Sequence, residues 1–263
     1  MTKVTKHSAA QTKRQLQSKV PEIIIFFWII KILCTTVGET AADFLNMNLD
    51  LGLSVTTFLM STLLIIALIV QFATRRYVPA VYWIAVVLIS VVGTLITDNL
   101  TDVLAVPLAV SSIVFATALA ITFALWYRNE KTLSIHSINT SKREAYYWLV
   151  VLLAFALGTA VGDMIAEQFN FGYLPSFFLF GVVTGLIVVG RFVFKLNVVF
   201  AFWAAYILTR PLGASLGDFL SQPTDSGGLS LGTTVTSFIF LGLILILVTY
   251  LIFTKRDVVT ENA

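Results

Sequence analysis

The chain has 263 residues, of which 58% are hydrophobic and only 12% are charged, and its mean hydropathy is +0.91. A soluble domain carries about 25% charged residues, so this composition excludes a water-soluble enzyme, a disordered chain and a coiled coil. The one cysteine, Cys34, excludes a disulfide framework and a cysteine-based metal site. The net charge of +3 is not gathered on one basic face, as nucleic-acid binding requires. We therefore expect an integral membrane protein that is surrounded by the lipid bilayer.

Eight apolar segments follow one another along the chain, each near the roughly 20 residues that a helix needs to cross a bilayer. They are predicted at 23–45, 51–73, 79–98, 104–126, 145–166, 173–194, 197–220 and 231–253. The longest connection divides this all-α chain into two halves. The predicted organisation is a basic tail at 1–22, a first half at 23–126, a linker at 127–144, a second half at 145–254 and a tail at 255–263.

Lysine and arginine are confined to alternate connections. Fifteen of the 17 basic residues lie in the two tails or in the second, fourth and sixth connections, and the other four connections contain none. By the positive-inside rule, this distribution places both termini in the cytoplasm. The first apolar segment is too long for a signal peptide and no A-x-A cleavage site follows it, so we expect it to be retained. The expected location is therefore the cytoplasmic (inner) membrane, with several spans.

A tryptophan, a glycine and an aspartate recur four times with the spacing W-x9-G-x4-D. The four sets are Trp28, Gly38, Asp43; Trp83, Gly93, Asp98; Trp148, Gly158, Asp163; and Trp203, Gly213, Asp218. An interfacial tryptophan belt and ordinary helix-packing glycines would explain the separate residues, but not their constant spacing to an aspartate. Duplication of a two-helix unit, followed by a second duplication, explains it. Because each unit has two spans, the copies share one orientation, which predicts a parallel pseudo-symmetric bundle and not an inverted repeat.

In these repeated positions the chain resembles a family of bacterial membrane proteins that consist of four tandem two-helix repeats of unknown function, the uncharacterised membrane-anchored proteins. The resemblance covers about residues 25–255 and rests on the repeated Trp, Gly and Asp residues. It implies the eight-helix architecture. It implies no particular substrate.

The first span places its polar and small residues on one helical face. At 100° per residue they fall within an arc of about 140°; they are Lys31, Thr35, Gly38, Glu39, Ala42 and Asp43. Small residues allow neighbouring backbones to approach closely. We therefore expect spans one, three, five and seven to form an inner ring with these faces inward. Spans two, four, six and eight are rich in Leu, Ile, Val and Phe and are expected to face the lipid.

Seven acidic residues are predicted to lie on or near this inner face. They are Asp43, Asp98, Asp163, Asp218, Glu39, Asp102 and Glu167. Each repeated Asp follows its Trp by 15 residues, which is roughly 22 Å along a helix. With Trp at the cytoplasmic interface, the aspartates lie toward the outer third of the membrane.

A cluster of buried acids has chemical consequences. An ionised side chain costs about 2.5–3.5 kcal/mol at the centre of a membrane helix, and repulsion between neighbouring acids favours their protonation. Such a cluster attracts cations and can exchange them for protons. The alternative is that the aspartates cap helix ends or face an outer aqueous funnel, above all for Asp102 and Glu167.

Two basic residues, Lys31 and Arg210, lie inside predicted spans and on the inward face. Either each forms a buried salt bridge with Glu39 or a repeated Asp, or each is a counter-charge that a substrate cation or a proton displaces. Pro211 removes a backbone hydrogen bond and predicts a kink in span seven. A broken span at membrane depth often marks a binding site.

The acids favour a cation as the ligand. Asp, Glu, Thr and backbone carbonyls suit hard or borderline cations such as Mn²⁺, Mg²⁺ or Ca²⁺, with five candidate ligands: Glu39, Asp43, Asp98, Asp163 and Asp218. His7 and His136 lie in segments assigned to the cytoplasm. No nucleotide-binding, zinc-protease or serine-hydrolase motif occurs, so we expect neither an enzyme nor a cofactor.

The prediction is a secondary transporter that exchanges a divalent metal ion for protons. Two alternatives remain, a transporter of small organic cations or drugs and a non-transporting scaffold or sensor. Assembly into a homo-oligomer is left open by the sequence.

Overall fold

Eight long helices, each long and apolar enough to cross a membrane, lie within residues 18–258, the part of the chain that the computed structural model describes. The helices are α1 (Ile25–Asp43), α2 (Gly52–Ala73), α3 (Pro79–Asp98), α4 (Leu108–Glu130), α5 (Ser141–Asp163), α6 (Tyr173–Val193), α7 (Val198–Ser221) and α8 (Thr233–Thr254). The all-α prediction of eight spans is confirmed, with boundaries within four residues of those expected. Most of the tail predicted at 1–22, including His7, and the end of the tail at 255–263 lie outside the described residues.

Local sequence signals set the ends of several helices. The side chain of Asn197 caps α7 by accepting hydrogen bonds from the N–H groups of Val199 and Phe200, at 2.9 and 3.2 Å. Pro79 occupies the first turn of α3, where its missing N–H costs nothing. Lys131 ends α4 in the left-handed conformation, with φ of 56°. A cation there also interacts favourably with the carbonyl end of the helix dipole.

The two ends of the bundle carry different charges. We call the end at which α1, α3, α5 and α7 begin the basic end, because the described Lys and Arg residues outside the helices are found there. The opposite end, formed by the connections 49–51, 104–107, 169–172 and 222–232, contains no Lys or Arg. We call it the acidic end. This arrangement follows from the alternation of basic connections in the sequence.

The helices α1, α3, α5 and α7 form a closed inner ring. Each contacts the next, and α7 returns to contact α1. Between 56% and 67% of the residues in their most apolar stretches are buried, against 11–28% for α2, α4, α6 and α8. The inner and outer layers predicted from polar and apolar faces are therefore present.

Each outer helix packs chiefly on the ring helix of the following repeat. The pairs are α2 with α3, α4 with α5, α6 with α7, and α8 with α1. The last pair joins the two ends of the chain and completes the circle. Successive repeats are therefore interlocked, and a two-helix repeat does not bury its apolar surface within itself.

The repeated glycines allow the ring helices to touch. A Cβ on each would meet the side chain of the residue that lies seven positions after the Trp of the following repeat. The four contacts are Gly38 with Ser90, Gly93 with Phe155, Gly158 with Arg210, and Gly213 with Thr35. The same contact in cyclic order confirms the parallel pseudo-symmetry. It also explains why glycine is required at this position of the repeat.

Aromatic side chains fill the ring near the basic end. An aromatic residue precedes each repeated Trp, and its ring contacts the Trp of the following repeat. The pairs are Phe27–Trp83 at 5.7 Å, Tyr82–Trp148 at 5.5 Å, Tyr147–Trp203 at 6.1 Å and Phe202–Trp28 at 5.7 Å between ring centroids. We call these eight residues the aromatic collar. Trp83, Trp148 and Trp203 are at most 5% exposed, so they pack inside the bundle and do not form a lipid-facing belt.

A short segment at the start of the described chain closes the basic end. Residues 18–21 are buried there, and Tyr77 donates its backbone N–H to Ser18 O at 3.0 Å. The ammonium of Lys19 forms a buried ion pair with Glu144 at 2.6 Å. We call residues 18–21 the basic-end plug.

Three ring helices change geometry directly after their repeated Asp. They continue as π-helical turns of five residues each, Phe44–Asn48 after α1, Asn99–Val103 after α3 and Met164–Gln168 after α5. π-helical turns are rare and are frequent at functional sites. The sequence did not predict them. They occur at the acidic end, on the side where the repeated aspartates lie.

Candidate functional site

Three carboxylates from three different ring helices meet inside the bundle. Glu39 of α1, Asp163 of α5 and Asp218 of α7 each offer an oxygen within 4.8 Å of the others. Glu39 and Asp218 are 7% and 6% exposed, and Asp163 is half-buried. We call these three residues the acidic cluster.

The residue before the repeated Asp lies against the neighbouring ring helix in repeats three and four. In repeats three and four it is glycine, at 162 and 217. A Cβ at Gly217 would lie 3.2 Å from the carbonyl oxygen of Thr36, and one at Gly162 would lie 3.5 Å from a side-chain atom of α7. Repeats one and two have Ala42 and Thr97 at that position. The two glycine-containing repeats contribute their aspartates to the cluster.

Arg210 lies fully buried in the ring and connects all four repeats. Its Nη2 atom donates to Glu39 Oε2 at 2.7 Å, to Thr159 Oγ1 at 2.8 Å and to the hydroxyl of Thr94. These three partners occupy the same position of repeats one, two and three, eleven residues after Trp; repeat four has Ala214 there. The expected ion pair of Arg210 with Glu39 is therefore present. The guanidinium fills the central space that alanine leaves.

Lys31 differs from Arg210. It is 1% exposed, and its Nζ forms neither a hydrogen bond nor an ion pair with any residue between 18 and 258. The amine instead lies 4.0 Å from the ring centroid of Phe155 and 4.3 Å from that of Tyr206. The expected salt bridge with Glu39 or a repeated Asp does not form. Lys31 and Glu39 are two turns apart on α1, roughly 12 Å, and Glu39 is already paired with Arg210.

The other four predicted acids surround the cluster without joining it. Asp43 and Asp98 are half-buried, and Asp43 accepts a long hydrogen bond from Gln222 at 3.4 Å. Asp102 and Glu167 are exposed on π-helical turns. Glu167 accepts a hydrogen bond from the Tyr173 hydroxyl at 3.0 Å. They lie on the side of the cluster that faces the acidic end, and we call them the acidic rim.

Span seven is not broken at its proline. Helix α7 continues as one α-helix from Val198 to Ser221, with Pro211 inside it. Pro211 packs against the glycine face of α5, where its Cδ would lie 3.0 Å from a Cβ at Gly158. Helix α7 is therefore not interrupted at membrane depth, and the kink at Pro211 stays a prediction.

Threonine and tyrosine side chains complete the site, and the sequence analysis did not select them. Thr94 and Thr159 bind the guanidinium, and Tyr206 contacts the Lys31 amine. Aligning the repeats would have found the two threonines, because they share the position of Glu39. Tyr206 shares the position of Lys31.

Oxygen atoms dominate the chemistry of this site. Three carboxylates face one guanidinium, so the cluster has an excess of negative charge whenever more than one acid is ionised. Such a donor set suits protons and hard cations and lacks the nitrogen and sulfur ligands that soft metals prefer. His136 lies in the connection between α4 and α5 at the basic end and is not part of the cluster.

Comparison with protein families identifies the repeat independently. The family model described as Repeat of Unknown Function (DUF347) matches four times, at residues 26–77, 81–132, 146–196 and 201–257. Each match spans one ring helix and the outer helix that follows it. No curated protein and no solved structure matches the chain.

Proposed function

We propose that this chain, which belongs to the family of four tandem membrane repeats, is a secondary transporter. It exchanges a divalent cation for protons. The acidic cluster is the exchange site. The observation that carries the proposal is the meeting of Glu39, Asp163 and Asp218 within 4.8 Å of one another inside a membrane bundle. Acids at membrane depth are costly and typically mark ion or proton pathways.

The three oxygens lie close enough together to share one ion. Two oxygens that bind one ion can lie apart by at most twice the metal–oxygen distance, which is about 4.6–5.2 Å for Ca²⁺ and about 4.0–4.2 Å for Mg²⁺. The cluster oxygens all lie within 4.8 Å of one another, which is inside the range for Ca²⁺. Ca²⁺ is therefore the first divalent ion to test.

Cations and protons compete for the same carboxylates, and this competition couples their transport. A divalent ion at the cluster neutralises charge that two protons can neutralise equally well. Arg210 takes part in the competition, because its ion pair with Glu39 at 2.7 Å must weaken when a metal ion binds that carboxylate. When no metal ion is bound, the positive charge of the guanidinium offsets part of the negative charge of the cluster and weakens its attraction for other cations.

In this proposal the cation reaches the cluster from the acidic end. The acidic rim lies on that side, whereas the aromatic collar and the basic-end plug close the other end. The Lys and Arg distribution favours a cytoplasmic basic end with both termini there, and on that orientation the conformation faces outward from the cytoplasmic membrane. Transport requires a second conformation in which the plug opens.

The experiment is a proton-flux assay. Purified protein is placed in liposomes that contain a pH-sensitive dye and an outward proton gradient, and Ca²⁺, Mn²⁺ or Mg²⁺ is added outside. We expect Ca²⁺ or Mn²⁺ to dissipate the gradient, Asp163→Asn to abolish the effect, and Asp225→Asn to leave it unchanged. Asp225 is the matched control because it is an exposed acid at the same end.

Two outcomes would contradict the proposal. If no divalent ion changes the gradient while the protein is shown to be folded, proton-coupled exchange of metal ions is excluded. If Asp163→Asn exchanges as fast as the wild type, the cluster is not the site. Flux with tetramethylammonium in place of the metal ions would favour the organic-cation alternative.

A further inference from the structure

Two residues between Arg210 and the aromatic collar carry buried polar groups that packing at this position of the repeat does not require. Lys31 lies three residues after its repeated Trp, and the equivalent residues of the other repeats are Val86, Val151 and Tyr206. Two valines show that the position packs well without a polar atom. Within residues 18–258 neither the Lys31 amine nor the Tyr206 hydroxyl has a hydrogen-bond partner. An unpartnered buried polar group is destabilising, so both residues indicate a function.

Further hydroxyl groups continue from these residues toward the basic end. The hydroxyls of Tyr82 and Tyr147 share a hydrogen bond of 2.5 Å inside the collar. The ring of Tyr77 lies 5.6 Å from that of Tyr82, and its hydroxyl donates to Asp257 at 2.6 Å. Asp257 follows α8 and belongs to the basic end. Groups that can accept and donate protons thus follow one another from the centre of the ring to its basic end, with direct hydrogen bonds between Tyr82 and Tyr147 and between Tyr77 and Asp257. The other steps require a side-chain rotation or an intervening water molecule.

The same region is closed to metal ions. Rings of neighbouring repeats contact one another around the whole collar, with centroids 5.5–6.1 Å apart. Tyr82 and Tyr147 are completely buried in it. A metal ion that enters from the acidic end therefore meets a wall of rings beyond Arg210. Protons differ, because they can pass between hydrogen-bonding groups without a pore.

We propose that Lys31, Tyr206, Tyr147 and Tyr82 form a proton path from the acidic cluster to the basic end, separate from the route of the metal ion. The inference rests on the proposed function and adds to it a route for the second ion. Lys31 is the first proton acceptor on this path. The tyrosines transfer the proton through the collar while the collar holds back the cation.

Each transfer conserves charge and atoms. A hydronium ion that carries a proton from the cluster, roughly 12 Å away along α1, transfers it to the Lys31 amine and leaves as water. The resulting ammonium is stabilised by the ring faces of Phe155 and Tyr206. It then gives a proton to the next hydroxyl oxygen, which releases its own proton onward. The charged and titratable neighbours of Lys31 are Cys34 on α1 and Tyr206 and Arg210 on α7. Arg210 lies 6.0 Å from the Phe155 ring, and its fixed charge favours onward release of the proton.

The test separates cation binding from proton movement. Ca²⁺ binding to protein in detergent is measured by calorimetry, and Ca²⁺-driven proton flux is measured in liposomes. We expect Lys31→Met to bind Ca²⁺ as tightly as the wild type but to lose proton flux by about a hundredfold. Lys31→His, which restores a group that exchanges protons, regains part of the flux. Lys142→Met is the matched control, because its amine is exposed at the basic end.

A second variant keeps the proposal testable if Lys31→Met fails to fold. Tyr147→Phe removes one oxygen from the path and leaves the ring in place, and it should slow flux with unchanged Ca²⁺ affinity. Wild-type flux in either folded variant would overturn the proton path while leaving the cluster as the cation site. Loss of Ca²⁺ binding in Lys31→Met would also overturn it. Absence of Ca²⁺ binding in the wild type would instead refute the proposed function itself.

Discussion

Replacing Arg210 with methionine removes the guanidinium from the centre of the ring and keeps most of the side-chain volume. Its Nη2 atom binds Glu39 at 2.7 Å and Thr159 at 2.8 Å, and it also binds Thr94. Arg210 is 1% exposed and Glu39 is 7% exposed. The substitution therefore leaves a buried carboxylate without its partner.

The size of the effect follows from this burial. Breaking a buried ion pair by removing one partner costs about 3–5 kcal/mol, whereas replacing both partners with apolar residues is often neutral or stabilising. We expect Arg210→Met to lower the free energy of unfolding by about 3–5 kcal/mol, and the double variant with Glu39→Met to recover most of the loss. The control is Arg143→Met at the basic end, where the pair with Glu130 is partly exposed and its loss costs about 0.2–1 kcal/mol.

The assay is unfolding by denaturant in a mild detergent, followed by tryptophan fluorescence, for the wild type and four variants: Arg210→Met, Glu39→Met, the double variant and Arg143→Met. A double variant that is as unstable as the sum of its two single variants would refute the reasoning, because the two residues would then act independently. A loss below about 1 kcal/mol in Arg210→Met, the range of a surface pair, would refute it as well. Repeating the measurement with Ca²⁺ adds a functional readout. Ca²⁺ should stabilise Arg210→Met more than the wild type, since the ion no longer competes with the guanidinium.

Two further predictions concern packing and pH. Gly93→Ala places a Cβ 2.6 Å from that of Phe155 and should lower the free energy of unfolding by about 1–3 kcal/mol. The control Gly242→Ala has nothing within 4 Å of its added Cβ and should leave the free energy of unfolding unchanged. Equal stability of the two variants would contradict the role of the repeated glycine. Burial raises the pKa of Asp257, against a smaller lowering by the hydrogen bond from Tyr77. The folded chain therefore holds this proton more tightly than the unfolded chain, and the free energy of unfolding falls as pH rises from about 4 through the raised pKa. Asp257→Asn should remove this fall, as measured by unfolding at a series of pH values; identical pH profiles would contradict the assignment.

The architecture could be predicted because the repeat fixes it. A constant spacing from Trp to Asp places equivalent residues on equivalent faces, and apolar segments of about 20 residues define the spans. The ring order α1, α3, α5 and α7 follows from which spans carry polar faces. These are properties of single helices, so they can be predicted from the sequence without knowledge of the contacts between helices.

The composition of the acidic cluster was less accessible. Four equivalent aspartates predicted a fourfold ring, but only Asp163 and Asp218 join Glu39. Which aspartates reach Glu39 depends on how neighbouring ring helices pack, and at the position before the Asp repeats three and four have Gly162 and Gly217 whereas repeats one and two have Ala42 and Thr97. Spacing along one helix does not contain that information.

The two buried basic residues show the same limit. Lys31 and Arg210 fall on the inward face by the same arithmetic, yet Arg210 reaches three acceptors in three other repeats and Lys31 reaches two aromatic rings. The two head groups end at different depths in the ring. At the depth of the guanidinium, repeat four has Ala214, whose small side chain leaves room for it.

The packing of α8 on α1 makes the order of the repeats along the chain arbitrary. Glu22 N–H donates to Asp257 O at 3.0 Å, so the chain passes from its last repeat back to its first without a gap. A circularly permuted chain that begins at α5 and joins the old ends by a short linker would preserve every contact between helices. Two separately expressed halves should likewise assemble into the same ring, because repeats four and one already pack together without a covalent link between their helices.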